Sequence, residues 1–316
     1  MRNYEFDLEY QPEVKQALET GQPVIALESN VISHGLNYPD NVDTALKVEA
    51  AIRLSGAIPA TVGIDNGKIL VGMNHEQIKR FATQKEISKV SSRELPFILA
   101  SGAMGATSVA SSLVIAELAG IPFFSSAGLG GVHRGAETTM DISADLIQLT
   151  RSKVTVVCAG VKNILDVGLT LEYLETHCVP LVSWQSDEFP AFYCRDSGFK
   201  SPMRIDSLQE LARAIEINRQ LPGAAGMVIA SPTREEDAIS SEDVQHAIHS
   251  AIVQAKLNSI SGNGVTKFIM KSVEEITAGR SAKANKAVLI NTARVAGEIA
   301  MAHHLYCRDK YERGDI

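Results

Sequence analysis

The chain has 316 residues, of which 45% are hydrophobic and 21% charged, and its formal net charge is −7. This composition is typical of a globular protein, and a negative charge without a basic run disfavours a general nucleic-acid surface. No stretch approaches the roughly 18 consecutive apolar residues of a membrane span, and the acidic, mixed N-terminus does not fit a signal peptide. Four widely spaced cysteines without a CxxC pair favour reduced thiols. We therefore expect a cytoplasmic protein with no membrane or nucleic-acid partner.

The N-terminal part predicts a polar arm with a short helix over residues 1–21, then a buried strand from Pro23 to Leu27. Glu28 follows this strand directly. Open α/β sheets place catalytic groups at the carboxyl ends of buried strands, so Glu28 is a candidate acid. Its position alone fits a solvated loop residue equally well.

The next segments predict a helix from Asn41 to Leu54 and a β-hairpin whose turn is the Asn-Gly pair at residues 66–67. A hairpin implies a mixed sheet rather than a purely parallel one. Farther along, Ser101 to Ser108 is a loop of small residues that opens a helix from Val109 to Leu118. Such a loop suits a phosphate group, and it suits simple helix capping as well.

The stretch from Ser125 to Asp145 contains four glycines, a histidine, an arginine and two aspartates four residues apart. An apolar run precedes it and an amphipathic run follows it, which is how α/β proteins build anion sites from a strand, a loop and a helix. An ordinary flexible connection is the alternative. His133 stands where the dinucleotide fingerprint GxGxxG needs its last glycine, so a nicotinamide enzyme is disfavoured.

Asp141 and Asp145 share a face if this segment is helical. Two neighbouring carboxylates favour a divalent cation that prefers oxygen ligands, Mg²⁺ or Mn²⁺. The same pair equally fits the acidic pattern of a helix start.

Lys162 lies between a β-branched strand, Lys153 to Ala159, and a predicted helix that begins at Ile164. Lysine is rarely buried without a function, and a desolvated amine can form a Schiff base. The alternative is a lysine that extends to the surface. Without further information, Lys89 is an ordinary surface lysine.

The C-terminal part continues the alternation of helices and strands and ends in a largely buried helix, Ser281 to Leu305, which contains Asn285. No repeat, low-complexity segment or break in composition divides the chain, so we expect a single domain over residues 1–316. The alternation predicts a three-layer α/β/α sandwich around a mixed, mostly parallel sheet.

Eight segments together resemble the pseudouridine-5′-phosphate glycosidase family, which includes indigoidine-cluster homologues. The similarity runs from about residue 10 to residue 305, and its most specific parts are the GGVHRGAE and DISADL blocks. The segments are residues 27–35, 59–61, 89–91, 105–107, 128–137, 141–146, 157–162 and 171–176.

The resemblance implies reversible cleavage of the carbon–carbon glycosidic bond of pseudouridine 5′-phosphate to uracil and ribose 5-phosphate, in a homotrimer. It implies that Lys162 is the Schiff-base nucleophile, that Glu28 is the proton donor and that Asp141 is the Mn²⁺ position. It also implies substrate-contact or active-site roles for a larger set, namely Lys89, Val109, His133, Ser143, Ala144, Asp145 and Asn285.

The sequence departs from the family pattern at four positions beside Glu28, Lys89 and Val109, namely Asn30, Ser92, Met104 and Ser108. We hypothesise that ribose-phosphate handling is kept and that selectivity for the base has drifted. A related C-glycosynthase that joins ribose 5-phosphate to another acceptor is the first alternative. A non-catalytic phosphosugar-binding module is disfavoured, because both Lys162 and Glu28 are present.

Overall fold

The computed structural model describes residues 6–258, 260 and 264–313. In chain order, the strands of this part are β1 Leu8–Tyr10, β2 Val24–Leu27, β3 Ile58–Asp65, β4 Lys68–Val71, β5 Ser88–Val90, β6 Gly105–Thr107, β7 Phe123–Ser125, β8 Val132–His133, β9 Thr155–Cys158, β10 Leu165–Asp166, β11 Leu181–Trp184, β12 Arg204–Ile205 and β13 Val228–Ala230. The α-helices are α1 Pro12–Glu19, α2 Asp40–Leu54, α3 His75–Thr83, α4 Leu95–Ser101, α5 Val109–Leu118, α6 Ala136–Thr139, α7 Ala144–Arg151, α8 Val167–Thr176, α9 Leu208–Gln220, α10 Ser241–Leu257, α11 Gly264–Ile276 and α12 Arg280–Arg313.

The main sheet contains eleven of the described strands, and its path runs β1-β4-β3-β2-β7-β9-β13-β11-β12. From β3 to β12 every neighbouring pair on this path is parallel. The hairpin of β3 and β4 is antiparallel, and its turn residues Asn66 and Gly67 both have positive φ, as the predicted Asn-Gly turn requires. Strand β6 pairs antiparallel with β3 and parallel with β5. The sheet is therefore mixed and mostly parallel.

Helices cover the sheet in two groups. Helix α12 packs against α2, α9 and the middle strands β2, β7 and β9, while α5 packs against α7, β2, β3 and β7. The three-layer α/β/α prediction is confirmed. No helix in the described ranges has the length and apolar character needed to cross a membrane.

Two features differ from the sequence-based prediction. The polar arm contributes an edge strand, because β1 pairs in parallel with β4. The residues after Glu28 form a short π-helical turn, Val31–Gly35. Both are local structures of three to five residues, too short for hydrophobic periodicity to reveal.

The middle strands explain where the functional residues collect. Strands β2, β7 and β9 are buried along their whole lengths, so each must be apolar up to its last residues. Because they run in parallel, their carboxyl ends meet at the same edge of the sheet. The first polar side chains beyond these ends, Glu28, Ser126 and Lys162, are therefore brought to one place.

Candidate active site

Glu28 lies at the end of β2, with its residue half-buried, and it accepts a 2.6 Å hydrogen bond from the Ser126 hydroxyl through its Oε1 atom. Burial raises the pKa of the Glu28 carboxyl, and the carboxylate of Asp145 adds to the rise. The charges of Lys162 and Lys89 and the Ser126 hydrogen bond act in the opposite direction. Burial prevails, so Glu28 keeps its proton to a higher pH than a solvated glutamate does.

Lys162 is held by backbone pairing rather than by a helix or a regular strand. Leu129 donates its N–H to the Gly160 carbonyl at 2.9 Å, and Lys162 donates its N–H to the Leu129 carbonyl at 3.2 Å. The glycine-rich segment thus continues the parallel pairing of β7 with β9 beyond the ends of both strands. This fixes Lys162 on the side of the sheet edge where its charge reaches Glu28.

Asp145 ties the glycine-rich segment to helix α5. Its two carboxylate oxygens accept backbone hydrogen bonds, from Ala110 at 3.0 Å and from Gly130 at 2.9 Å. A Cβ at Gly130 would lie 2.2 Å from the Ser143 hydroxyl and 2.7 Å from an Asp145 oxygen. Only a glycine at position 130 therefore lets the backbone lie this close to Ser143 and Asp145. The buried Asp145 links the glycine-rich loop to the N-terminus of α5.

The second half of the glycine-rich stretch folds back on itself. Strand β8 pairs with the segment around Ile142, and the His133 N–H donates to the Asp141 carbonyl at 3.0 Å. This pairing brings the His133 Nδ1 atom to 3.7 Å from the Asp141 Oδ2 atom. The side chain of Asp141 is 48% exposed, so one accessible carboxylate stands beside an imidazole.

Asp141 and Asp145 would share a helix face only if the segment between them were helical, and this condition is not met, because α7 begins at Ala144, after Asp141. The oxygens of Asp145 are already occupied by backbone N–H groups, so the two carboxylates do not form a common ligand pair. A single accessible carboxylate still fits a hard divalent cation that keeps most of its water ligands. Asp141 therefore fits that role by itself.

The remaining predicted site residues are spread around this edge. Lys89 lies exposed on β5, while Val109 begins α5 and is buried. Ser143 caps α7 and accepts a hydrogen bond from the Asp145 N–H at 3.2 Å, and Ala144 is the first residue of that helix. Asn285 lies buried on α12, and no hydrogen bond in the described part of the chain satisfies its Oδ1 atom.

Two positions that depart from the family pattern carry buried oxygens that have no hydrogen-bond partner among the described residues. They are Oδ1 of Asn30 and Oγ of Ser108, the residue that precedes α5. Buried polar groups are ordinarily hydrogen-bonded. Both atoms are therefore candidates for contact with a bound substrate.

The segment from Ser186 to Pro202 forms an irregular cover that packs against the end of β9. Phe192 donates its N–H to the Ala159 carbonyl at 2.8 Å. Gly160 has a φ of +78°, and a Cβ there would lie 1.9 Å from the Pro190 carbonyl oxygen. Pro190 of the cover thus packs against the backbone of Gly160, two residues before Lys162, and only a glycine permits this contact.

Sequence reasoning missed Ser126 and the pair of Ser29 and Thr107. The Ser29 hydroxyl accepts the Thr107 N–H at 2.9 Å, which joins the end of β2 to the end of β6. A detectable signal existed for all three, because each is a small hydroxyl residue at or just beyond the end of a buried strand. The rule that selected Glu28 selects them as well.

The profile of a family described as "Indigoidine synthase A like protein" matches residues 13–302. A protein of Serratia proteamaculans named pseudouridine-5′-phosphate glycosidase is 67% identical over 93% of this chain and 95% of its own length. The Escherichia coli protein of the same name is 47% identical over 93% of this chain and 94% of its own length.

Two solved structures share the fold. The prealnumycin C-glycosynthase AlnA, solved in complex with ribulose 5-phosphate, has a TM-score of 0.90 and 42% identity, covering 96% of this chain and 99% of its own. An indigoidine synthase A-like protein from Thermotoga maritima has a TM-score of 0.85 and 31% identity, covering 95% of this chain and 97% of its own.

Proposed function

The chain belongs to the Indigoidine synthase A like family, and we propose that it cleaves the carbon–carbon glycosidic bond of pseudouridine 5′-phosphate through a Schiff base on Lys162. The prediction of a pseudouridine-5′-phosphate glycosidase is confirmed by the names of relatives up to 67% identical. One observation carries the proposed mechanism. Glu28, with its raised pKa, follows β2, Lys162 follows β9 on the other side of β7, and the two side chains interact electrostatically.

The substrate bond explains why a lysine and a carboxyl group are needed together. Ordinary glycosidases protonate the bridging oxygen of the leaving group, and a carbon–carbon glycoside has no such oxygen. An amine attached to C1′ supplies an electron sink instead. Lys162 is suited to attach at C1′, and Glu28 is suited to move protons next to it.

Cleavage then proceeds in three steps. Glu28 gives its proton to the ring oxygen while the Lys162 amine bonds to C1′, so the ring oxygen becomes the hydroxyl on C4′. The Glu28 carboxylate takes the extra proton from the attached nitrogen and gives it to C5 of the base. The C1′–C5 bond then breaks with its electron pair staying on the base, which releases uracil, while the nitrogen lone pair forms a protonated imine between C1′ and Lys162. Water adds to the imine carbon and releases ribose 5-phosphate, and the leaving amine returns one proton to Glu28. Each step is reversible.

We propose that Asp141 holds a divalent cation, Mn²⁺ in the family, through its exposed carboxylate. When bound, the ion would supply positive charge near the phosphosugar. His133, 3.7 Å from the Asp141 carboxylate, orients that group through the imidazole and through the backbone pairing of β8. Lys89, Val109, Ser143, Ala144, Asp145 and Asn285 are proposed to shape the substrate pocket.

The alternative of a C-glycosynthase rests on the fold shared with AlnA at 42% identity. The 67% identity to a glycosidase favours cleavage of pseudouridine 5′-phosphate as the main activity. Both reactions make or break a bond to C1′, so the same Lys162 chemistry serves either. The two reactions differ in the base or acceptor that is joined to C1′. We propose that Asn30 and Ser108 lie close to that group.

We further propose a cytoplasmic homotrimer. The four cysteines are free thiols, which suits a reducing compartment. The trimer follows from the resemblance to the family. Light scattering coupled to size-exclusion chromatography measures the mass, and a monomer or dimer at working concentration would contradict it.

Borohydride trapping tests the Schiff base. The full-length enzyme is incubated with ribose 5-phosphate, reduced, digested and analysed by mass spectrometry. We expect one reduced adduct at Lys162 in the wild type and in Lys200→Ala, a control on an exposed lysine. Lys162→Ala should carry no adduct. An undiminished adduct in Lys162→Ala would overturn the assignment.

A further inference from the structure

A cluster of side chains that can act as metal ligands lies where α9 packs against α12, away from the residues of the candidate active site. It consists of Glu216 on α9 and of His303 and Cys307, one turn apart on α12. The Cys307 Sγ atom is 3.6 Å from the His303 Nε2 atom and 3.5 Å from the Glu216 Oε2 atom. His303 Nε2 and Glu216 Oε2 are 2.9 Å apart.

These separations match a tetrahedral zinc site. Zn–S bonds of about 2.3 Å and Zn–N or Zn–O bonds of about 2.0–2.1 Å at tetrahedral angles place sulfur about 3.5 Å from the other ligands. Both sulfur distances in the cluster agree with this value. The nitrogen and oxygen ligands of such a site lie about 3.3 Å apart, so the 2.9 Å hydrogen bond between His303 and Glu216 must widen by about 0.4 Å.

The surroundings of Glu216 also suit a metal ligand. Gln220 donates a 2.7 Å hydrogen bond to the Oε1 atom of Glu216. This contact orients the carboxylate and leaves Oε2, the oxygen that faces His303 and Cys307, as the ligand. Such outer hydrogen bonds are a regular feature of protein metal sites.

The charges balance on binding. A Glu216 carboxylate and a Cys307 thiolate neutralise the two positive charges of the ion, and the side chains of Glu216 and His303 are only 16% and 12% exposed. A neutral assembly is favoured in such a half-buried place. Mixed nitrogen, oxygen and sulfur ligands select Zn²⁺ over the harder Mn²⁺ and Mg²⁺. The cluster therefore differs in chemistry from the oxygen position at Asp141.

A nucleophilic role for Cys307 fits the structure less well. Burial and the neighbouring Glu216 carboxylate raise the pKa of the Cys307 thiol to about 11, and burial lowers the pKa of His303. A reactive cysteine needs the opposite environment. A metal ion displaces the thiol proton directly, which no other group in this cluster is placed to do.

We propose that Glu216, His303 and Cys307 bind one Zn²⁺ ion with tetrahedral geometry, with water as the fourth ligand, and that this ion links α9 to α12. The ion ties together residues 87 and 91 positions apart in the chain. A ligand that binds the folded state and not the unfolded state stabilises the folded protein. Bound Zn²⁺ is therefore expected to stabilise the packing of α9 against α12.

Cobalt substitution tests the proposal, because thiolate-bound Co²⁺ has a charge-transfer absorption in the near ultraviolet. Metal-free, full-length protein is titrated with Co²⁺ and then with Zn²⁺. We expect one equivalent with this absorption, which Zn²⁺ abolishes. The absorption should be lost in Cys307→Ser and retained in Cys178→Ser, an exposed free thiol, and in Asp141→Asn. A wild type without the absorption, or one unaffected by Cys307→Ser, would overturn the site.

A second variant keeps the proposal testable if Cys307→Ser does not fold. Gln220 is exposed, so Gln220→Ala is expected to fold normally. Because Gln220 orients the ligand carboxylate, its removal should weaken Zn²⁺ binding about 10-fold in competition with a chromophoric chelator. Unchanged affinity would contradict the geometry. Asp141→Asn removes the other proposed cation ligand, so any stabilisation of this variant by Zn²⁺ must come from the cluster. Zn²⁺ should therefore raise the midpoint of its thermal unfolding, and an unchanged midpoint would count against the site.

Discussion

The hydroxyl of Ser126 donates a 2.6 Å hydrogen bond to the Glu28 carboxylate, across 98 positions of the chain. The two residues follow neighbouring parallel strands, β2 and β7, so the sheet itself creates the contact. A hydrogen bond to a carboxylate stabilises its ionised form. Ser126 thus moderates the rise in pKa that burial imposes on Glu28.

Replacing Ser126 with alanine should move the pH dependence of cleavage. Without the hydroxyl, the pKa of Glu28 rises further, because a contact that favours the ionised form is gone. The protonated donor then persists to higher pH, so the basic limb of the kcat/KM profile should shift upward. Steady-state kinetics over a pH series measures the limb. A shift to lower pH, or none, would contradict the role of Glu28 as the donor in the free enzyme.

Glu28→Gln should abolish proton donation while keeping the size of the side chain. We expect kcat to fall about 10²- to 10⁴-fold, as for other general acids. Glu49→Gln is a matched control, since Glu49 is also buried, has a raised pKa and accepts a hydroxyl hydrogen bond, from Thr61 at 2.7 Å. Normal kcat in Glu28→Gln, or an equal loss in both variants, would rule out a specific acid role.

Asp145→Asn should destabilise the protein. The two oxygens of Asp145 accept from Ala110 and Gly130, and an asparagine can accept through only one of its terminal atoms. One buried N–H would lose its partner, at a cost of about 1–3 kcal/mol in the free energy of unfolding. Urea denaturation measures this cost. An unchanged urea midpoint would show that the hydrogen bonds of Asp145 do not stabilise the link between the glycine-rich loop and α5.

Much of this arrangement could be predicted from sequence, because strands β2, β7 and β9 are apolar runs and each is followed at once by polar or small residues. That rule marked Glu28 as a candidate acid, and its place between a strand and a helix marked Lys162 as a candidate Schiff-base amine. The resemblance to the family implies the same two roles. The relation between Asp141 and Asp145 could not be predicted, because it depends on where α7 begins. The helix starts after Asp141, where the backbone pairs with β8 instead.

The cluster of Glu216, His303 and Cys307 also lay beyond sequence reasoning. The four-residue spacing of the histidine and the cysteine is visible in the chain, but Glu216 comes from a helix that only tertiary packing brings near. The single-domain prediction for residues 1–316 stays a prediction.

Asp141→Asn should change metal dependence without changing stability. The Asp141 side chain is 48% exposed, and its carboxylate does not take part in the buried hydrogen bonds of Asp145. The unfolding midpoint of the variant should therefore match that of the wild type. The Mn²⁺ concentration for half-maximal cleavage should rise at least about 10-fold, since an anionic ligand is lost. Full wild-type activity in a strong chelator would refute the metal role.

Asn30→Thr, which removes the Oδ1 atom and keeps a small polar side chain, should affect recognition of the base. The buried Oδ1 atom of Asn30 has no hydrogen-bond partner within the described ranges, so a bound base is the group we expect it to contact. Losing one hydrogen bond worth about 0.5–1.5 kcal/mol corresponds to a change of about 2- to 10-fold in the KM of pseudouridine 5′-phosphate. Trapping of ribose 5-phosphate alone on Lys162 should be unchanged, because the sugar does not carry the base. Equal changes in both measurements would place Asn30 against the sugar and remove the argument that base selectivity has drifted.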